Sequence, residues 1–182
     1  MKKIPTVFRR NPDNMREILD EAHPDCAWVF AGEGIATRKY DGTCVKVEAG
    51  KYFKRREVGK GKPIPHGFIE ADRDEVTGKR VGWIEIEPCD PENKWHMAAF
   101  DESLPDGTYE LVGPKVQGNP EDLEEHQLLS HADAKRYEDV PRTFEGLLEW
   151  LRSRDIEGLV FHHPDGRMAK IKKRDFGLKR KP

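Results

Sequence analysis

The chain has 182 residues, enough for one domain with one substantial core. Hydrophobic and charged residues each make up 36% of it and the formal net charge is −2. That balance excludes a protein that grips nucleic acid through overall charge and leaves only local basic surfaces for such a role. The apolar residues come in periodic blocks, which excludes wholesale disorder. Cys26, Cys44 and Cys89 are too few and too scattered for a disulfide framework or a Cys-x-x-Cys zinc site, and they read as a reducing, cytoplasmic compartment. Pro5 and Arg9-Arg10 interrupt any apolar leader core, and no stretch approaches the length of a membrane span.

In chain order, residues 4–9 predict a short strand. Asn11-Pro12 followed by Met15, Ile18, Leu19 and Ala22 has the cap and the i, i+3, i+4, i+7 spacing of a helix, ended by Pro24. Residues 27–30 read as a buried strand. Thr43, Val45 and Val47 alternate with Cys44, Lys46 and Glu48; Ala49-Gly50 is a turn and Tyr52–Glu57 returns, a hairpin with Lys39 just ahead of it. Residues 59–66 form a Gly/Pro/Lys loop, Thr77-Gly78 a turn and Val81–Glu87 a strand. Asp90-Pro91 opens a helix, Thr108–Val112 is a strand, Asn119-Pro120 opens a short acidic helix and His126–Ser130 is a strand. Thr143 caps a helix with Phe144, Leu147, Leu148 and Leu151 on one face, before strands at Glu157–His162 and Met168–Lys173. Helices among antiparallel hairpins give an α+β fold. No Ser- or Gly-rich linker marks a second domain, so residues 1–182 are expected to form a single one, with a basic tail over about 174–182.

The chemistry-bearing residues stand apart in the chain. Lys39 precedes the turn Asp41-Gly42. A free lysine amine has a pKa of about 10.4, so at neutral pH roughly one in a thousand is a nucleophile, and each unit of lowering corresponds to about 1.4 kcal/mol. Burial, nearby cations or a bound divalent metal supply that lowering. Lys170 and Lys172, two apart in a β pattern, project from one face while Ile171 points to the core; a pair of like charges so placed reads as an anion site. Glu110 and Glu157 each sit in an otherwise apolar strand and call for a partner, for which a hydrated Mg²⁺ or a ribose hydroxyl would serve. Taken singly, each has a structural reading: a hairpin turn, a solvated strand face, a helix-to-strand turn. His162-His163 beside a turn reads as exposed rather than metal-bound. What favours chemistry is that every element occurs once, in order, on its own strand or strand-leading turn.

In that order the residues resemble the covalent nucleotidyltransferase superfamily, and within it the compact single-domain RNA ligases of the RNA ligase 1 type. Lys39-Tyr40-Asp41-Gly42-Thr43 is similar to motif I, whose lysine becomes adenylylated, with Arg38 beside it. Arg55 or Arg56 resembles the motif Ia arginine, Glu110 in Tyr-Glu-Leu-Val-Gly the motif III glutamate at the ribose, Glu157 in Glu-Gly-Leu-Val-Phe the motif IV metal-binding glutamate, and Lys170-Ile171-Lys172 motif V. The resemblance implies an adenylation domain with two mainly antiparallel sheets around an ATP cleft and flanking helices. It implies an ATP-dependent ligase that joins RNA 5′-phosphate and 3′-hydroxyl ends through lysyl-AMP and RNA-adenylate. Lys39, Asp41, Lys170 and Lys172 are then catalytic. Arg38, Lys39, Gly42, Arg55, Arg56, Glu110, Lys170 and Lys172 bind nucleotide, and Glu157 with Glu110 holds Mg²⁺ or Mn²⁺. A monomer is expected, with no membrane partner. Two departures stand out. The stretch His126–His131 lacks the Phe or Tyr that stacks on adenine in many relatives, so His126 or an apolar residue takes that place. Nine residues follow Lys173, so no OB or other C-terminal domain is expected, and the basic tail is expected to grip RNA. The other readings of the same residues are a DNA ligase or other lysine-dependent nucleotidyltransferase, and a nucleic-acid-binding module without catalysis.

Overall fold

A computed structural model of the chain describes residues 3–75 and 77–180; Lys181 and Pro182, the end of the expected basic tail, lie outside them. In chain order the strands are β1 (Phe8–Arg10), β2 (Ile18–Ala22), β3 (Ile35–Lys39), β4 (Thr43–Glu48), β5 (Lys51–Val58), β6 (Ile69–Arg73), β7 (Arg80–Glu85), β8 (Gly107–Val112), β9 (Gln127–Ser130), β10 (Arg136–Tyr137), β11 (Gly158–His162) and β12 (Met168–Lys172). The α-helices are α1 (Ala27–Phe30), α2 (Lys94–Ala99) and α3 (Phe144–Arg152). All strand pairings between these elements are antiparallel, so the expected α+β class with antiparallel sheets is borne out. The chain divides into two compact units, one of Ile4–Tyr40 with Ala134–Pro182, the other of Met1–Lys3 with Asp41–Asp133.

The first unit holds a four-stranded sheet in the order β10-β3-β11-β12 and the small hairpin β1-β2. Alternation along its strands puts Ala36, Leu159, Phe161, Ala169 and Ile171 into one core with Val7, Phe8, Leu147 and Leu151. The helix α3 forms as the sequence predicts. The Thr143 side chain accepts from the Gly146 amide at its start, and Leu147 and Leu151 are fully buried, worth about 1.5–3 kcal/mol each. The N-terminal segment lies along β12, with the Val7 amide donating to the Lys170 carbonyl and the Lys170 amide to the Pro5 carbonyl, both at 2.9 Å.

Two readings in this unit are corrected. Residues 11–22 form no helix. The Asn11 and Asn14 side chains accept from the amides of Asp13 and Arg16, local bonds that compete with a helix. Met15, on the supposed apolar face, is 67% exposed, and Ile18–Ala22 pairs with β1 instead. Residues 27–30 are the helix α1, not a strand. A short apolar run is ambiguous by periodicity, and here the turn Pro24–Cys26, whose Asp25 amide donates to His23 Nδ1, feeds directly into it.

The second unit is a six-stranded sheet in the order β6-β7-β5-β4-β8-β9. Val45, Val47, Tyr52, Tyr109 and Leu111 face a core closed by Met97, Ala99 and Phe100 of α2 and its C-terminal end. Asp90 caps the turn before α2 through the Glu92 amide. The edge strand β6 carries Glu70, Asp72 and Arg73, too polar for the sequence pattern to mark. The acidic helix expected at Asn119-Pro120 is absent. Asn119 and Asp122 take positive φ values of 58° and 57°, and the Asn119 side chain closes a turn by bonding the Leu123 amide and carbonyl.

His96 of α2 lies beside Tyr52, with ring centroids 6.3 Å apart, and neither of its ring nitrogens is hydrogen-bonded to a described residue. Burial, and then the nearby Lys54 ammonium, hold its pKa below the ordinary 6.5. The unfolded chain therefore binds this proton more readily than the folded one. The contribution of a neutral His96 to stability is complete above pH 6.5 and declines as pH falls through the folded value. We expect His96→Leu to gain stability relative to wild type as the pH is lowered from about 7 to about 5. Urea unfolding across that range checks it, and a pH-independent difference would remove His96 from the titration.

Candidate functional site

The antiparallel register of the four-stranded sheet builds a polar face from three aligned rows. Gly158 of β11 pairs with Lys39 on one side and Lys172 on the other. The next row is Thr37, Val160 and Lys170, and the third is Ile35, His162 and Met168. Residues directly opposite one another share a face, so Lys39, Lys170 and Lys172 come to the same side although 131 to 133 positions separate the first from the other two. Gly158 is what makes the first row possible. A Cβ there would lie 2.0 Å from the Ile171 carbonyl oxygen and 2.8 Å from the Lys172 Cα. The carboxylate of Glu157, the residue before Gly158, lies between the two lysines.

Glu157 accepts from Lys39 Nζ at 2.5 Å and pairs with Lys172 Nζ at 2.7 Å, one ammonium on each oxygen. All three side chains are largely shielded, with 19%, 12% and 13% of Lys39, Glu157 and Lys172 exposed. Burial pushes the Glu157 carboxyl up, but the charges and hydrogen bonds of Lys39 and Lys172 outweigh it and hold the group below its ordinary 4.5. Lys39 Nζ also donates to the Tyr40 carbonyl at 3.2 Å. The core side of the same sheet receives Arg38, which pairs with Leu159 and sets its guanidinium 5.2 Å from the Tyr40 ring centroid. The sheet therefore separates Arg38 from the lysine face by strand alternation. His162 and His163 are both half-buried rather than exposed: His162 Nε2 meets Thr37 Oγ1 at 3.0 Å and His163 bridges Glu33 and Asp165. Part of the basic tail is committed to structure: Arg180 pairs with Asp155 at 3.4 Å and its carbonyl accepts from the buried Lys173 amine, which also donates to the Arg154 carbonyl.

In the six-stranded unit the second glutamate is equally enclosed. Glu110 is 7% exposed and sits on β8 opposite Cys44 and Leu129. Its Oε1 accepts from the Gly42 amide at 3.1 Å and its Oε2 meets His131 Nε2 at 3.0 Å, while His131 Nδ1 meets Thr108 Oγ1 at 3.0 Å. Gly42 is required by close approach, because a Cβ there would stand 2.1 Å from the Leu111 carbonyl oxygen. The Asp41 amide donates to Glu121 at 2.9 Å. Arg55 lies close enough to Cys44 to act on its thiol electrostatically and so shares this neighbourhood, whereas Arg56 alternates to the other side of β5 and is exposed. Burial and then Glu110 push the Cys44 thiol up to about 11, which makes it inert. His131 carries no mark of this role in the sequence beyond standing two positions after Leu129. His126 instead stacks on Trp95, centroids 4.8 Å apart at 13°, beside a cavity of about 540 Å³.

Among the described residues no three His, Cys, Asp or Glu side chains converge as a metal cage. A hydrated Mg²⁺ needs only one or two carboxylates. Glu157, held ionised and already bound by two cationic groups, has the chemistry such an ion requires. Among the same residues no helix is long and apolar enough to cross a membrane, and the three cysteines are free thiols.

No known family profile matches the chain. It is similar to curated proteins named RNA ligase 1. The mouse (Mus musculus) and rat (Rattus norvegicus) proteins are each 25% identical over 220 aligned positions, spanning 79% of this chain and 67% of the relative. The orangutan (Pongo abelii) protein is 26% identical over 164, spanning 64% of this chain and 49% of the relative.

The depressed carboxyl of Glu157 gives a signed expectation. Its contribution to stability is full above the ordinary 4.5 and is lost as pH falls through the lower folded value. Glu157→Gln should keep the native far-ultraviolet circular dichroism but lose roughly 1–3 kcal/mol at neutral pH. The deficit should shrink in acid below about pH 4; a deficit that is constant with pH would separate it from the ion pairs.

Proposed function

We propose that the chain is an ATP-dependent RNA ligase that works through a lysyl-AMP on Lys39. The observation that carries the reading is the arrangement of Lys39, Glu157 and Lys172 on one sheet face. The similarity to proteins named RNA ligase 1 selects RNA over other substrates. The adenylation-domain architecture belongs to the same reading and is supported by the antiparallel sheets.

In this reading the Lys39 nitrogen attacks the α-phosphorus of ATP. A nitrogen–phosphorus bond forms, the bond to the bridging oxygen breaks, pyrophosphate leaves with that electron pair, and a proton departs from the nitrogen to solvent. The AMP then passes to an RNA 5′-phosphate, and attack by a 3′-hydroxyl seals the strand and releases it. In-line phosphoryl transfer asks the protein mainly for positioning and charge neutralisation. A carboxylate 2.5 Å from the amine favours the ammonium, so Lys39 becomes a nucleophile when Glu157 is drawn to another cation. Mg²⁺ or Mn²⁺, held by Glu157, would supply that competing charge and offset charge on the phosphate oxygens. Lys172, once released from Glu157, would face the phosphates together with Lys170 on the same sheet face. The remaining roles follow the resemblance. Glu110, its orientation fixed by Gly42 and His131, takes a ribose hydroxyl. Arg55 rather than Arg56 contacts nucleotide or acceptor phosphate, and Asp41 assists a later step.

Incubation with α-labelled ATP and Mg²⁺, followed by denaturation, tests this directly. Wild type should retain label on the protein, and Lys39→Ala should lose it. Lys39→Arg should lose it as well, because a guanidinium keeps the charge yet does not deprotonate. Absence of label from wild type would leave a nucleic-acid-binding module. Label transfer with sealing of DNA ends alone would replace RNA as the substrate.

A further inference from the structure

The connection between β5 and β6 in the six-stranded unit reads Gly59-Lys60-Gly61-Lys62-Pro63. With Arg73 of β6, Gly78 and Arg80 of β7 it lines a concave space of about 410 Å³. Four cationic side chains and no carboxylate line it. The acidic residues nearby are engaged elsewhere. Glu70 pairs with Arg80 at 3.2 Å, Glu57 pairs with Lys79, and Asp74 pairs with Lys3 at 2.9 Å. Asp72 accepts from the Lys3 amide, and Glu75 does not line the space. Lys60, Lys62 and Arg73 are exposed, and their side chains make no ion pair or hydrogen bond with a described residue.

The placement of these charges is built rather than incidental. Gly61 takes a left-handed φ of 73° and the Lys62 amide closes a turn on the Gly59 carbonyl at 3.1 Å, so Lys60 and Lys62 flank a fixed reversal. Gly78, with φ of 68°, leaves room for the Lys60 stem: a Cβ there would stand 3.1 Å from Lys60 Cγ and Cδ. The methylenes of Lys60 therefore rest on the β6–β7 hairpin, and part of the entropy a lysine loses on binding is already spent. Like charges gathered in a concavity while the neighbouring carboxylates serve other cations form an anion receptor. Its lining is mostly exposed, which suits a polyanion running across it better than an enclosed small ligand.

We propose that this cavity binds backbone phosphates of single-stranded RNA, through Lys60, Lys62 and Arg73. The choice of RNA rests on the ligase reading; the phosphate chemistry does not depend on Lys39. It supplies a grip that the C-terminal tail gives only in part, since Arg180 there is paired with Asp155.

The test is fluorescence anisotropy with a short labelled single-stranded RNA, the same sequence as DNA, and inorganic pyrophosphate as competitor, on the full chain. Lys60→Gln/Lys62→Gln/Arg73→Gln, checked for a native circular dichroism spectrum and thermal midpoint, should bind RNA about tenfold or more weakly. The slope of log affinity against log salt should become shallower by about 2, as for three lost single-strand phosphate contacts. Lysine labelling by ATP should be unchanged in this variant. Undetectable RNA binding by wild type, or equal affinity and salt slope in the triple variant, overturns the proposal. Equal loss for DNA keeps the phosphate site and removes the preference for RNA. Displacement of RNA by pyrophosphate at stoichiometric levels reassigns the cavity to a small phosphate ligand. If wild type takes no label from ATP yet the triple variant still loses RNA, the ligase reading fails and this site stands.

Discussion

A single carboxylate held between two ammonium groups organises the four-stranded unit. Glu157 cannot occupy its place without Lys39 and Lys172, because an unpaired, shielded carboxylate is costly. The two lysines would repel each other without it. The geometry comes from register: two antiparallel ladders meeting at Gly158 set the lysines in one row, and the missing side chain at that position lets the β12 backbone approach. Removing either ladder would scatter residues that lie far apart in the chain.

The six-stranded unit solves a related problem with a backbone amide and an imidazole. Glu110, nearly sealed from solvent, is met by a backbone amide on one oxygen and an imidazole on the other, and Thr108 orients that imidazole. The two glutamates therefore differ in what they can exchange. One is met by an ammonium group on each oxygen. The other is fixed by a turn glycine and a strand-end histidine, which suits steady hydrogen bonding more than ion exchange.

The strands were largely legible because alternation leaves a trace in the residues themselves: Val45 and Val47 inward with Lys46 between, Ile171 inward with Lys170 and Lys172 outward. The convergence of Lys39 with Lys172 was not, since pairing partners carry no local mark. Asn11-Pro12 imitated a helix start because asparagine side chains serve Asx turns as readily as caps, and the run from Ala27 to Phe30 was too short for its period to decide. The pair Arg55-Arg56 could be divided only once the pleat of β5 was in place. His131 escaped notice because nothing in its neighbours announces that a glutamate stands across from its strand.

Lys173 carries a consequence for the C-terminal end. Two hydrogens of its buried ammonium are taken by the carbonyls of Arg154 and Arg180, and it directly follows Lys172. The closing segment thus works as a clasp on the strand that carries the polar lysines. Trimming the chain back past Arg180 would strip one acceptor from an enclosed cation, and that disturbance would begin one residue away from the lysine that binds Glu157.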